Sequence, residues 1–488
     1  MGRDGIDAGR QDDFVMGARV MAVDRVPDDT SRRPPRVLVV GAGFAGFHCL
    51  QTLESLLPPG AAELVAVNPT DYMLYVPLLP EVAAAILEPR RVTVPLRARL
   101  PRTQVALGNI TAIDLASRTC TLVDVERRPR TLVWDRLVLA CGSVTRLLSV
   151  PGVIDHAIGF KSIAEAVYLR DHVLRQLELA ELAEDPAERS ARTTFVVVGA
   201  GYTGTEVAAQ GQLLTAEGLR HFPRLSSGGV RWVLLDLAPR VLPGLNPSLS
   251  APAMRVLRRR GVEVRLGTTV REVTATCALL SDGTQIPTRT VVWCVGVRPD
   301  PLVEAVGLQT REGRVVVDER LGVPGHRDVY VAGDVAAVPD PGRPGEITTM
   351  TAQHAQRQGR LAALNVAASL GYGEPDRYRH KDRGFVVDLG GTQAVADPFR
   401  VPLTGPVAKA ITRGYHLMAL PSGRARVAAD WLIDALAGPP LVQFGLVSEA
   451  AVRLGDADRI AEPTVVQTHD THDGRAPAAD LHRPAADP

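Results

Sequence analysis

Six glycines fall into two groups with one spacing. Gly41, Gly43 and Gly46 sit in RVLVVGAGFAG at residues 36–46, and Gly199, Gly201 and Gly204 sit in FVVVGAGYTG at residues 195–204. In a G-x-G-x-x-G turn the first glycine makes the bend, the second lets backbone approach a pyrophosphate, and the third lets the next helix pack on the strand. The phosphates then rest against the free N–H groups and the positive dipole end of that helix. The chemistry on offer is dinucleotide binding, written twice in one chain. Asn68 ends AELVAVN twenty-two positions after Gly46, where a ribose-binding carboxylate is usual; its amide oxygen can accept a hydrogen bond, but it has no charge to repel a 2′-phosphate. Asp236 ends RWVLLD after the second loop and favours NAD over NADP, a preference that Arg240 nearby tempers. Gly333-Asp334 closes DVYVAGD and sets a carboxylate at a strand's C-terminal edge, where ligands bind in open α/β sheets.

The elements around these residues read as an α/β fold. Each glycine loop follows a run of β-branched and leucine residues without polar alternation, the mark of a buried parallel strand. A helix from Phe44 to Leu57 and a strand at 62–68 follow the first loop. Further apolar runs lead into Gly142 (TLVWDRLVLACGS, 131–143), into Gly296 (TVVWCVGVRP, 290–299) and into Asp334. The thirty-two positions from Gly204 to Asp236 exceed the usual twenty or so, and LRHFPRLSSGG reads as an inserted surface loop. TTMTAQHAQRQGRLAALNVAASL has the composition of a helix that stops at Gly371.

Composition removes several function classes. Net charge is +1 over 488 residues, with no long block of one sign in the body, so nucleic acid is not an expected partner. Cys49, Cys120, Cys141, Cys277 and Cys294 show no C-x-x-C spacing, which argues against zinc, iron–sulfur or dithiol redox centres and reads as reduced core thiols of a cytosolic protein. The N-terminal stretch mixes Asp and Arg without an apolar stretch and is expected to be neither a secretion signal nor a membrane span; no run of eighteen apolar residues occurs. Residues 1–34 and 456–488 read as disordered tails, and HDTHD in the second reads as solvated rather than metal-binding.

Four motifs carry a resemblance to the two-dinucleotide flavoprotein reductases, most closely the type II NADH dehydrogenases, which are single-chain flavin NADH:quinone oxidoreductases. They are GAGFAG with VNPTDYMLYVPLLPEVAAA, GAGYTGTEVAA with LAPRVLPGL, VYVAGDVAAV, and TAQHAQRQG; the likeness covers roughly residues 36–440. It implies two Rossmann-like domains, an NAD-binding one (155–295) inserted into an FAD-binding one (35–154 and 296–380), followed by a C-terminal α/β region (381–455). On that pattern Gly41, Gly43, Gly46, Asn68, Gly142, Asp334 and Ala352 contact FAD, and Gly199, Gly201, Gly204, Asp236 and Gly296 contact NADH.

The same resemblance places Glu206, two residues past the third glycine, beside nicotinamide, flavin and quinone; a first-turn acid favouring the helix dipole is the competing role. The quinone-side motif A-Q-x-A-x-Q sets two glutamines four apart on one helical face. Ala352, Gln353 and Ala355 match it, but Arg357 stands at the second glutamine, and an always-charged donor would bond a quinone carbonyl differently or bind an anion. The C-terminal region is where the family has a homodimer or membrane-docking surface. In RARVAADWLIDALAG, Val427, Trp431 and Ala435 fall on one face, which suits packing on the protein's own body or on a second subunit as well as a membrane.

The function implied is FAD-dependent oxidation of NADH by hydride transfer, with a quinone as acceptor. The setting is cytoplasmic, at most peripheral on the cytoplasmic face of a membrane. A soluble reductase using oxygen, a ferredoxin or another acceptor, and a flavin- and NAD-binding sensor, remain open at this level.

Overall fold

The computed structural model describes residues 33–225, 229–380 and 384–455, so the expected tails, HDTHD included, lie outside the described residues except for Arg33 and Pro34. The first apolar run forms β1 (Arg36–Val40), the chain turns at Gly41 into α1 (Phe44–Leu56), and β2 (Glu63–Asn68) follows. β1 has parallel neighbours on both sides, with Val37 opposite Leu64 of β2 and opposite Arg136 of the strand Arg136–Leu139. Val37, Leu38 and Val39 are fully buried, which is why the run has no polar alternation. The eight-stranded sheet runs in the order 322–323, 326–331, 136–139, β1, β2, 103–114, 119–124, 129–133.

The second loop repeats the pattern as β3 (Thr194–Val198), α2 (Tyr202–Gly218) and β4 (Arg231–Asp236). Its five-stranded sheet is parallel throughout, in the order 157–159, 290–293, β3, β4, 263–266. In both sheets the chain leaves the central strand in opposite directions, so a crevice opens at that strand's C-terminal end, where the glycine loops stand. A short antiparallel ladder of Ser143–Thr145 with Val297–Pro299 ties the two sheets together.

Two apolar runs that read as single strands are divided. The run at 131–143 supplies the end of an antiparallel hairpin strand, Pro129–Val133, and then the parallel strand Arg136–Leu139. Trp134 between them is buried, so the apolar sequence continues through the change of direction. The run at 290–299 breaks after Trp293, with Gly296 at φ +95° making the bend.

α3 (Ala352–Ser369) begins at Thr351, whose hydroxyl accepts from His354 N, and lies hard against α1. A Cβ at Gly359 would come 2.1 Å from Ala45 O. The C-terminal region holds a small antiparallel sheet (386–388, 394–396, 403–404), α4 (Gly405–Ala419) and α5 (Arg424–Ala437). Val427 and Trp431 of α5 are buried, but Ala435 is exposed, because the inward stripe ends with Trp431 and its neighbour Asp434. Leu432, Ile433 and Leu436 point outward at 61%, 60% and 80% exposure.

Candidate active site

A cavity of about 1010 Å³ is lined by both glycine loops. The loops are near copies in detail. Gly41 (φ +90°) and Gly199 (φ +104°) both occupy backbone that disfavours side chains, and a Cβ on either would meet a carbonyl of the adjacent strand's end, Ala140 O at 2.4 Å or Cys294 O at 2.3 Å. Gly46 and Gly204 do not face the cavity: a Cβ on each would lie 1.8 Å from the carbonyl of Gly41 or Gly199, so they serve helix packing. Gly43 and Gly201 are the helix N-caps, without side-chain caps, and a Cβ there would meet nothing within 4 Å. Each loop thus presents uncapped N–H groups and open space, the arrangement a pyrophosphate needs.

Asn68 and Asp236 hold equivalent posts. Asn68 Oδ1 accepts from Ala42 N at 2.8 Å, and Asp236 Oδ2 accepts from Ala200 N at 2.5 Å. Asn68 also donates, through Nδ2 to Thr70 O at 2.8 Å, which a carboxylate could not do. Asp236 takes a second donor, Ala238 N, at 2.7 Å on Oδ1. Both line the cavity and keep acceptor lone pairs for a ribose. Arg240 does not line it; its guanidinium is spent on the carbonyls of Pro243 (2.7 Å) and Leu245 (2.9 Å), so it does not offset Asp236.

Gly142, Gly296, Asp334 and Ala352 also line the cavity. Asp334 Oδ2 accepts from Ser143 Oγ at 2.6 Å, and Lys161 Nζ donates to that hydroxyl at 2.9 Å. Gln358 of α3 fixes the Gly-Asp turn through its Oε1, which accepts from Gly333 N at 2.7 Å. Cys141 and Cys294 pack on the apolar cores and also border the cavity, whereas Cys49 lies buried in α1 with its thiol pushed up to about 12.

Glu206 lines the cavity as the fifth residue of α2, beyond the first turn, so the helix-dipole role falls away. Its Oε1 accepts from Asp388 N at 2.8 Å. Burial holds its carboxyl well above the usual range, the nearby Asp388 and Glu81 charges add to this, and the Asp388 N–H bond and Lys409 oppose it. Asp388 is itself buried and paired with Lys409 at 2.5 Å. His416, on the cavity wall, faces Tyr75 Oη at 3.1 Å, and burial drops its pKa to about 4. Glu81 accepts from Trp431 Nε1 with one oxygen, while Oε1 has no hydrogen-bond partner among the described residues; burial raises its pKa to about 8.

Gln353 lines the cavity, with Nε2 donating to Gly384 O at 2.8 Å. Arg357 does not reach the lining. It stands one turn, roughly 5.4 Å, further from the N-terminus of α3 and turns back, Nη1 donating to Gln353 O at 3.2 Å and Oε1 at 3.4 Å and lying 3.3 Å from His380 Nδ1. Of the expected acceptor-side pair, the structure puts Gln353 on the cavity wall and Arg357 behind it, bonded to Gln353.

Lys161, Ser143, Asp388, Lys409, His416 and Tyr415 join the site without a motif to announce them. One signal was available: the chain has only three lysines, and Lys161 and Lys409 are two of them.

The profile of one family, described as pyridine nucleotide-disulphide oxidoreductase, matches residues 35–359. The chain is 31% identical over 434 residues to a type II NADH:quinone oxidoreductase of Mycobacterium tuberculosis, covering 85% of this chain and 91% of that one. A second type II NADH:quinone oxidoreductase of the same organism is 33% identical over 413 residues, covering 81% and 85%. The solved structure of NDH2 from Plasmodium falciparum in complex with NADH shares the fold at a TM-score of 0.77 and 18% identity, covering 84% of this chain and all of that one. The chain belongs to the pyridine nucleotide-disulphide oxidoreductase family and, within it, to the type II NADH:quinone oxidoreductases.

Proposed function

We propose that this protein oxidises NADH through bound FAD and passes the electrons to a quinone. The observation that carries the reading is a single cavity lined by two uncapped glycine loops together with Glu206 and Gln353. When bound, FAD accepts a hydride from a nicotinamide and releases the electrons to an acceptor. The residues do the positioning. Gly41 and Gly43 with Asn68, Gly142, Asp334 and Ala352 would hold FAD, and Gly199 and Gly201 with Asp236 and Gly296 would hold NADH, while Gly46 and Gly204 seat the helices behind the loops, in domains spanning 35–154 with 296–380 and 155–295. With a pyrophosphate anchored at each loop, the two loops would orient the nicotinamide and flavin portions of the cofactors towards one another, which favours hydride transfer.

Burial raises the Glu206 carboxyl well above its usual range, which favours the form that can give a proton to an acceptor taking up electrons, and with Oε1 accepting from Asp388 N, Oε2 is the oxygen left for that exchange. Gln353 closes the acceptor side, and Arg357 holds its amide oxygen in place rather than meeting the quinone. A quinone is apolar, and the outward Leu432, Ile433 and Leu436 of α5 with Met418 of α4 form an exposed apolar surface that suits peripheral contact with a bilayer on its cytoplasmic face. No described helix is long and apolar enough to cross a membrane.

Under anaerobic conditions NADH should bleach the yellow protein, and a soluble quinone should restore the colour. Recolouring by air alone would replace the quinone with oxygen, and colour that NADH does not bleach would favour a sensor. For the membrane contact, flotation with anionic vesicles should fail for the double variant Ile433→Ser, Leu436→Ser; a wild-type protein that ignores vesicles and elutes as a dimer would assign that face to a second copy instead.

A further inference from the structure

Lys161 lies where the two nucleotide units meet. Its backbone follows the edge strand Ala157–Gly159 of the second sheet, and its ammonium reaches Ser143, on the ladder that joins the sheets. The backbone is fixed by Glu165, whose Oε2 accepts from Lys161 N and Ser162 N, both at 2.7 Å, in the capping box of helix Ile163–Leu182. The side chain is fixed by a relay: Lys161 Nζ donates to Ser143 Oγ at 2.9 Å, and Ser143 Oγ donates to Asp334 Oδ2 at 2.6 Å. Among the described residues the ammonium has no carboxylate within ion-pair distance, so a half-buried charge on the cavity wall is bonded to a neutral hydroxyl. Burial lowers its pKa, while Asp334 and Glu165 counter that. A cation compensated at second hand attracts negative charge into the space it faces.

That space lies between the two glycine loops, with Gly142, Phe160 and Gly333 beside Lys161 on its wall. Hydride transfer breaks the C4–H bond of the nicotinamide ring and delivers two electrons and one proton to the flavin. NADH becomes NAD⁺, and the flavin ring system gains one negative charge. We propose that Lys161 supplies the positive charge that favours the reduced, anionic state of bound FAD over the oxidised state, with Ser143 and Asp334 fixing its reach. Lys161 is then a potential-setting residue for the hydride step. The inference rests on the FAD-dependent reading above and extends it to a residue outside the family motifs.

The test is the flavin midpoint potential of the FAD-loaded protein, titrated with dithionite at pH 7 so that neither NADH nor quinone enters the measurement. Lys161→Met should lower the potential by about 30 mV or more, the two-electron equivalent of a tenfold loss in preference for reduced over oxidised flavin. Lys161→Arg should stay near wild type, because it keeps the charge. Ser143→Ala keeps the ammonium but loosens it, and should give a smaller drop; it also carries the test if Lys161→Met does not retain FAD. A wild-type potential in Lys161→Met, or in Ser143→Ala where that variant stands alone, would overturn the proposal. So would weaker FAD retention with an unchanged potential, which would make Lys161 a phosphate contact. Failure of quinone to recolour the NADH-reduced protein would count against the acceptor alone and leave this result standing.

Discussion

Two residues past its third glycine the first loop carries His48, and at the same point the second carries Glu206. The backbones of the two loops are near copies, yet these side chains have opposite chemistry and different surroundings. His48 is buried away from the cavity, with Nδ1 donating to Phe44 O at 2.8 Å, and burial lowers its pKa to about 4. Glu206 faces the cavity, and burial raises its carboxyl well above the usual range. Burial thus disfavours the charged form of both, pushing the imidazole towards losing its second proton and the carboxyl towards keeping its own. The surroundings of both groups disfavour charge, and of the two Glu206 alone faces the cavity. The two frameworks offer the same uncapped N–H groups and open space, and they differ in the residues that follow.

The largest test of that division is at the third glycines. Gly46→Ala and Gly204→Ala both force a Cβ to 1.8 Å from a backbone carbonyl, so each should wreck its own loop. Gly204→Ala should purify yellow but resist bleaching by NADH, whereas Gly46→Ala should purify colourless or fail to fold. If Gly204→Ala lost its flavin as completely as Gly46→Ala, the assignment of one nucleotide to each loop would be broken.

The His48–Glu206 contrast predicts opposite pH slopes in stability. His48 has a depressed folded pKa, so its contribution is fully present above the unfolded value of about 6.5 and is lost as pH falls towards about 4. Glu206 has a raised folded pKa, so its contribution is fully present below about 4.3 and is lost as pH climbs to its folded value. Urea unfolding from pH 4.5 to 6.5 should show His48→Gln losing a slope of about +1.4 kcal/mol per pH unit and Glu206→Gln losing one of the opposite sign. Equal slopes in both variants and the wild type would mean that these groups titrate alike in the folded and unfolded chain.

The sheet centres and both loops were legible because a buried parallel strand and a glycine turn each impose a local pattern. Asn68 was read as a departure from the usual acid, and the fold supplies its reason: the amide must donate to Thr70 O while accepting from Ala42 N. What escaped notice was assembled over long sequence distances. Lys161 meets Ser143 across eighteen positions and then Asp334 across nearly two hundred, and Asp388 reaches Glu206 by a backbone N–H, which no side-chain motif records. The position of Arg357 was legible only in part: helical spacing gave the face it shares with Gln353, but not that the cavity wall includes Gln353, bonded to Gly384 O, and stops short of Arg357.

Cofactor choice sharpens the comparison at a smaller scale. Asp236→Asn turns the second loop into a copy of the first, removing the charge that repels a 2′-phosphate while keeping an acceptor for Ala200 N. The ratio of kcat/KM for NADPH to that for NADH should rise about tenfold, worth about 1.4 kcal/mol. A ratio unchanged from wild type would show that the carboxylate discriminates nothing.

The smallest effect is expected at Arg240, and it separates proximity in sequence from contact in space. Four positions after Asp236, an arginine reads as a 2′-phosphate partner, but here its guanidinium is committed to the carbonyls of Pro243 and Leu245 in the loop that follows β4. Turning it towards a nucleotide would leave those acceptors to water and gain a contact at a site where Asp236 still repels phosphate. Arg240→Ala should therefore cost about 1 kcal/mol of stability through the lost loop bonds, read as a lower urea midpoint. The NADPH-to-NADH ratio should move less than about twofold, under roughly 0.4 kcal/mol. A fall of tenfold in NADPH use would mean that the guanidinium leaves its carbonyls when the cofactor arrives, and the second loop would then read its nucleotide with two residues rather than one.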